Sequence, residues 1–131
     1  MSNFVRDVAE FHQVVLNQPQ LSPDDPWANL MVQRRQFLEE EIAELGHAIY
    51  KEDLVDVTDA LIDMIYVAIG TLYIMGVPIS ALWDVVHQAN MQKKRGMTKR
   101  GVFYDACKPL GWVPPEGAIE RILESYGYET K

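Results

Sequence analysis

Only one cysteine, Cys107, occurs in this chain of 131 residues, so no disulfide can form within it. A reduced, cytoplasmic setting is expected. Basic residues are scarce. Twelve Lys and Arg face nineteen Asp and Glu, leaving a net charge of −7 and a pI of about 4.8. That deficit argues against a nucleic-acid polymer as partner, because phosphate backbones attract basic surfaces. No apolar run reaches the roughly 20 residues of a membrane span. The longest, Met64 to Val77, follows directly on Asp63 and reads as the buried half of a core helix, with no membrane partner expected. The segment Met1 to Asp7 lacks a basic region leading into an apolar core, so no signal peptide is expected. Alternation of apolar and polar residues, the mark of a half-buried strand, is almost missing, as are internal repeats and low-complexity tracts. What remains is 48% hydrophobic and 24% charged, the balance of a soluble domain, and the length suits one domain over residues 1–131.

Helical periods dominate. Phe4, Val8, Phe11 and Val15 predict a first helix over Asn3 to Leu16. Pro19, Pro23 and Pro26 then break the chain from Asn17 to Trp27. A second helix is expected from about Ala28 to Tyr50, with Leu30, Phe37, Leu38, Ile42, Leu45 and Ile49 as its apolar stripe. After a short turn at Lys51-Glu52-Asp53, a third helix from Leu54 to Met75 should pack antiparallel to it. This helix becomes apolar all round in its second half, which predicts burial at the centre of a bundle. Gly76 and Pro78 should end it, and Ser80 should cap a fourth helix that reaches Lys94 and stops at Gly96. The stretch Gly101 to Pro115 suggests a short extended lap, and Ile119, Ile122, Leu123 and Tyr126 a last amphipathic helix. The expected fold is an all-α antiparallel bundle of four to five helices, its unburied stripe covered by a second subunit.

Nine acids crowd into positions 39 to 63, with Lys51 the only Lys or Arg among them. Glu41 and Glu44 lie three apart, and Asp56, Asp59 and Asp63 follow at three and four, so each set lies along one helix face. Counted from the turn, Glu44 falls opposite Asp59, and the two rows can face each other across the hairpin. Carboxylates at such spacing repel, and a hard divalent cation held by oxygen, Mg²⁺ or Mn²⁺, would offset the repulsion. Solvated surface is the commoner fate of such charges, and it suits Glu39, Glu40, Glu52 and Asp53 individually. Asp53 also reads as an N-cap, with Asp56 at the capping-box position. Asp59 and Asp63 sit close to apolar residues, where an isolated carboxylate is costly.

A basic counter-pole lies downstream, where Lys93, Lys94, Arg95, Lys99 and Arg100 supply five of the twelve basic residues. By itself this is read best as a solvated helix end with favourable dipole charges. Trp83 looks like core, whereas Trp27 and Trp112 sit in loops and stay open as base-stacking candidates. His12 and His47 look like ordinary surface or interface residues, and Cys107 has no visible base partner.

Glu41-Ile42-Ala43-Glu44-Leu45 and Asp56-Val57-Thr58-Asp59 resemble the paired ExxE and ExxD motifs of the all-α nucleoside triphosphate pyrophosphohydrolases. That superfamily includes MazG, dimeric dUTPase and phosphoribosyl-ATP pyrophosphohydrolase. The continuation Ala60 to Thr71, with Ala89-Asn90-Met91-Gln92-Lys93 and Lys108 to Pro115, looks like the phosphoribosyl-ATP pyrophosphohydrolase-like branch common in phages and bacteria. The resemblance covers roughly Arg34 to Pro115, and aspartate stands at position 56 where many members have glutamate. It implies a MazG-like fold and metal-dependent hydrolysis of a (deoxy)nucleoside triphosphate to monophosphate and pyrophosphate. Glu41, Glu44, Asp56, Asp59 and Asp63 become the candidate metal ligands, with Glu41 also the candidate base. Asn90, Lys93 and Lys94 become candidate substrate contacts, with Trp27 beside them. The resemblance also implies a homodimer or homotetramer, in a bacterial cytoplasm or, for a phage-encoded chain, a host cytoplasm. Related phage enzymes make guanine nucleotides one option for the substrate. Two alternatives stand beside this reading: a non-catalytic acidic helical interaction module, and phosphoribosyl-ATP hydrolysis itself.

Overall fold

A computed structural model describes residues 3–25, 27 and 29–130. The chain divides into two compact units, residues 1–77 and 78–131. The first unit is built from α1 (Phe4–Glu10), α2 (Leu30–Tyr50) and α3 (Leu54–Met75). The second holds α4 (Ile79–Met91), β1 (Lys94–Gly96), β2 (Asp105–Cys107) and α5 (Glu116–Ser125). Helices carry the structure in both units, as an all-α bundle requires.

In α1 the Asn3 side chain caps the first turn by accepting the Arg6 backbone N–H at 3.0 Å. From Phe11 to Val15 the helix widens into a π-helical turn, so the expected continuous helix changes pitch where His12 enters the core. The loop that follows is stitched to the end of α3. Leu21 N–H donates to the Ile74 carbonyl, and Gln20 Nε2 donates to the Tyr73 carbonyl at 3.0 Å. Carbonyls left over at a helix C-terminus thereby find donors. The expected start of the second helix at Ala28, like Pro26 in the loop, lies outside the described residues.

The α2–α3 hairpin positions the acidic residues. Helix α2 ends in a Schellman motif: Asp53 N–H donates to the Ala48 carbonyl and Glu52 N–H to that of Ile49. Glu52 occupies the left-handed position (φ 54°) where glycine is usual. Asp53 then caps α3, its Oδ1 accepting the Asp56 N–H at 3.1 Å. Small residues let the helices approach closely. Ala48, Ala60 and Gly70 are all buried, together with Val8, Ile74 and Val77. Gly76 ends α3 in the left-handed region (φ 78°), as its position predicts.

Other expectations are corrected. Helix α3 is not enclosed: Ala60, Gly70 and Ile74 are its buried residues, while Leu61, Ile62 and Ile65 are exposed. Two partner helices cover one stripe of a helix that is apolar on every side, so the rest stays bare. By length and composition α3 would even pass for a membrane span, yet Asp56, Asp59 and Asp63 interrupt its first half. On α2, Ile42 and Ile49 are likewise exposed.

In the second unit Pro78, not Ser80, occupies the N-cap of α4, and no side-chain cap forms there. Proline suits a helix start because it lacks the N–H that would go unpaired. The helix ends at Met91 rather than near Lys94, because Lys94 to Gly96 pair antiparallel with Asp105 to Cys107. Gly96 therefore lies in a strand, where an added Cβ would meet Cys107 Sγ at 2.8 Å. The loop between the strands is closed by Asp105, which accepts from Arg100 Nε at 2.8 Å and from the Thr98 hydroxyl. These bonds, the Thr98 bond foremost, hold the Asp105 carboxyl below its ordinary range. Trp83 is 70% exposed and so is not core.

Candidate active site

The five acids expected to act together lie along the α2–α3 seam. Nearest the turn, Glu44 and His47 of α2 and Lys51 just after it face Asp56 and Asp59 of α3 around a cavity of about 240 Å³. The side chain of Asp56 lines this cavity, while its backbone N–H is the group that Asp53 caps. Further from the turn, Glu41 and Asp63 line a second cavity of about 460 Å³, walled by Phe11, Phe37 and Tyr66. His12 and Arg34 line the same space.

Glu41 lines the second cavity and lies three residues before Glu44 of the first. Its Oε2 is buried without a hydrogen-bond partner. Burial first, and then the charges of Glu44, Asp63 and Asp59, push its carboxyl above the ordinary carboxylate range. Glu41 thus feels the charges of three of the other four expected acids. Among the described residues, however, no three His, Cys, Asp or Glu side chains are gathered into a finished metal cage. The all-oxygen donor set and the orphaned Glu41 oxygen fit a hard divalent cation, which would neutralise the mutual repulsion.

The aromatic cavity holds what the sequence did not announce. His12 is 1% exposed, so it is a core residue rather than a surface one. Its Nδ1 lies 3.1 Å from Gln18 Oε1, and burial lowers its pKa. Arg34 is 8% exposed. Its Nε donates to Thr71 Oγ1 at 3.0 Å and its Nη2 to the Val67 carbonyl at 3.1 Å. The guanidinium also lies 5.3 Å from the Phe37 ring centroid. Gly70 leaves room for both groups, since a Cβ there would stand 2.5 Å from His12 Nε2 and 2.9 Å from Arg34 Nη2. One signal for Arg34 was available in the sequence. It lies four residues after Leu30 and three before Phe37, on the apolar stripe of α2.

The other expected site residues belong to other segments of the chain. Trp27 is a loop residue, 67% exposed, and lines neither cavity. Asn90, Lys93 and Lys94 belong to the second unit. Asn90 is exposed in the last turn of α4 and Lys94 in β1. Lys93 Nζ sits 5.0 Å from the Trp112 ring, with Lys108 Nζ at 5.1 Å. Trp112 in turn donates its indole N–H to the Ala89 carbonyl at 2.8 Å.

A helical hairpin that lines its seam with coupled carboxylates defines the all-α class of nucleotide pyrophosphohydrolases. The phosphoribosyl-ATP pyrophosphohydrolase family model matches residues 8–90, more than half of the chain, and the chain belongs to that family. No curated protein matches it. The match begins at Val8 and so takes in the aromatic cavity as well as the acids. Membership makes the chain a pyrophosphohydrolase, acting on the acid anhydride of a nucleotide, and it sets aside the non-catalytic module.

Proposed function

We propose that the chain cleaves nucleoside triphosphates, ribo or deoxy, to the monophosphate and pyrophosphate with the help of Mg²⁺ or Mn²⁺. The observation that carries this reading is Glu41, a carboxylate with a buried, unpartnered oxygen and charged neighbours that raise its pKa. A polyanionic substrate is repelled by such a row unless cations reverse the local potential. Glu44, Asp56 and Asp59 would hold the cation, with Asp63 as a further ligand or as support for one. A cation held there would supply charge neutralisation at the phosphates and make a nearby water easier to deprotonate. Glu41, kept basic by its environment, accepts that water's proton. Asn90, Lys93 and Lys94 are proposed to contact phosphate or sugar, and Trp27 the nucleotide. The bare faces at Ile42, Ile49, Leu61, Ile62 and Ile65 support a homodimer or homotetramer. A cytoplasmic setting is proposed with it, and the net charge of −7 speaks against a nucleic-acid polymer as partner.

Incubation with each common nucleotide and Mg²⁺ or Mn²⁺, followed by resolution of the products, tests the reading. Monophosphate and pyrophosphate support it, and failure to turn over any triphosphate sinks it. The family match favours one second reading, phosphoribosyl-ATP as the substrate. Turnover of that compound with no turnover of triphosphates would establish it instead.

A further inference from the structure

The buried cation at the floor of the aromatic cavity has unused capacity. A guanidinium carries five N–H donors and no acceptor. Arg34 spends Nε on Thr71 and one Nη2 hydrogen on Val67, and among the described residues Nη1 has no partner. Neither does Arg34 form any salt bridge among the described residues. Nη1 is not among the buried atoms left without a partner, so it is reachable from open space and can still donate to a ligand. The cavity it lines, of about 460 Å³, has the volume and the aromatic walls of a small-ligand site. At its other end stand Glu41 and Asp63, so a nucleotide with its phosphates at the acids would carry its base towards Arg34. The π-helical turn that brings Phe11 and His12 into this wall is a feature often found at functional sites.

We propose that this cavity is the base subsite and that Arg34 Nη1 reads a carbonyl oxygen on the base edge. The subsite rests on the nucleotide reading given above. Nη1 is a donor with no acceptor capacity, so a carbonyl facing it is matched and an exocyclic amino group is opposed, donor against donor. Guanine, hypoxanthine, uracil and thymine present such a carbonyl; adenine presents an amino group at the same edge, as does cytosine. Phe37 and Tyr66 supply the apolar walls against which the ring packs. The selectivity is therefore for oxo bases over amino bases, whichever ring system carries them.

The test compares kcat/KM for dGTP, dUTP, dATP and dCTP at saturating Mg²⁺, in the wild type and in Arg34→Gln. The wild type should favour the two oxo substrates by roughly tenfold or more, because a mismatched buried donor is left unpaired. Arg34→Gln, which offers both a donor and an acceptor, should bring the four within about threefold of one another. Arg34→Lys serves should the glutamine variant fail to fold; it keeps the charge, loses the fork and should narrow the preference. Calorimetry with dGMP and dAMP in EDTA separates this subsite from the acidic row. Tighter binding of dGMP, lost in the Arg34 variant, supports the subsite even if no triphosphate is hydrolysed. Equal or absent binding of both monophosphates overturns it, as does a wild-type preference for dATP or dCTP, or an unchanged ranking in a folded Arg34 variant.

Discussion

Two cavities share the seam between α2 and α3, and they differ in what the folded chain did to the groups that line them. Near the turn, Glu44, Asp56 and Asp59 are exposed carboxylates on the first turns away from the hairpin. One to three turns back along α2, Glu41 and Arg34 meet Phe11, His12 and Tyr66. There Glu41, His12 and Arg34 are each shifted, with burial as the first cause every time. In each case the shift runs towards the neutral form, as desolvation requires. The difference teaches that carboxylates left in water keep their charge at little cost, while groups sheltered by the aromatic wall are shifted by losing part of their hydration.

The largest expected effect breaks the acidic half. Glu44→Gln should lower turnover by roughly a hundredfold or more, as loss of a ligand to a catalytic cation does. The same change removes one repulsive charge from Glu41, so the metal-free variant should melt no lower than the wild type. Mg²⁺ should raise the wild-type melting temperature, EDTA should reverse that gain, and the variant should respond less. A variant with the wild-type rate would refute the role given to Glu44.

Gly70→Ala breaks the aromatic half instead. Its methyl would collide with His12 and Arg34, and overpacking of this kind costs about 1–3 kcal/mol. Urea unfolding measures the loss, and the polar cavity near the turn should keep its affinity for Mg²⁺. Should both properties fall together, the two cavities would be one cooperative site. Glu52→Gly touches neither cavity and serves as a control. It relieves a left-handed residue at the Schellman position and should stabilise the hairpin by about 1 kcal/mol, leaving activity unaltered.

The smallest effects, two opposed pH slopes, sharpen the comparison. His12 is held below its ordinary value of 6.5, so the unfolded chain binds the extra proton first as pH falls below 6.5. Stability due to His12 is then lost as the pH drops towards its folded pKa. Glu41 is held above its ordinary value of 4.5, so its contribution is present below that value. It is lost as pH rises through the folded pKa. Urea unfolding between pH 4 and 8 in the metal-free protein should show the first slope vanish in His12→Phe and the second in Glu41→Gln.

Much of this was legible along the chain. The limits of α3, the Gly76 stop and the Asp53 cap follow from local chemistry, and they appear where that chemistry puts them. So does the facing of the acidic rows, because 3.6-residue periodicity and a short turn set the register of an antiparallel pair. The same register carries Arg34 to Val67 and Thr71. The fourth helix was misplaced at both ends, since proline outcompeted serine for the cap and strand pairing with residues 105–107 claimed Lys94 to Gly96.

By itself, then, the sequence determined the helices, the hairpin and the acids that face across it, all of which depend on spacing between near neighbours. Only the tertiary structure decided that His12 is core, that Arg34 lies buried with no carboxylate partner among the described residues, and that Glu41 rather than its neighbours has the orphaned oxygen. Those outcomes depend on which side chains from α1, α2 and α3 exclude water together, and burial is a property of the packed unit that no single segment carries.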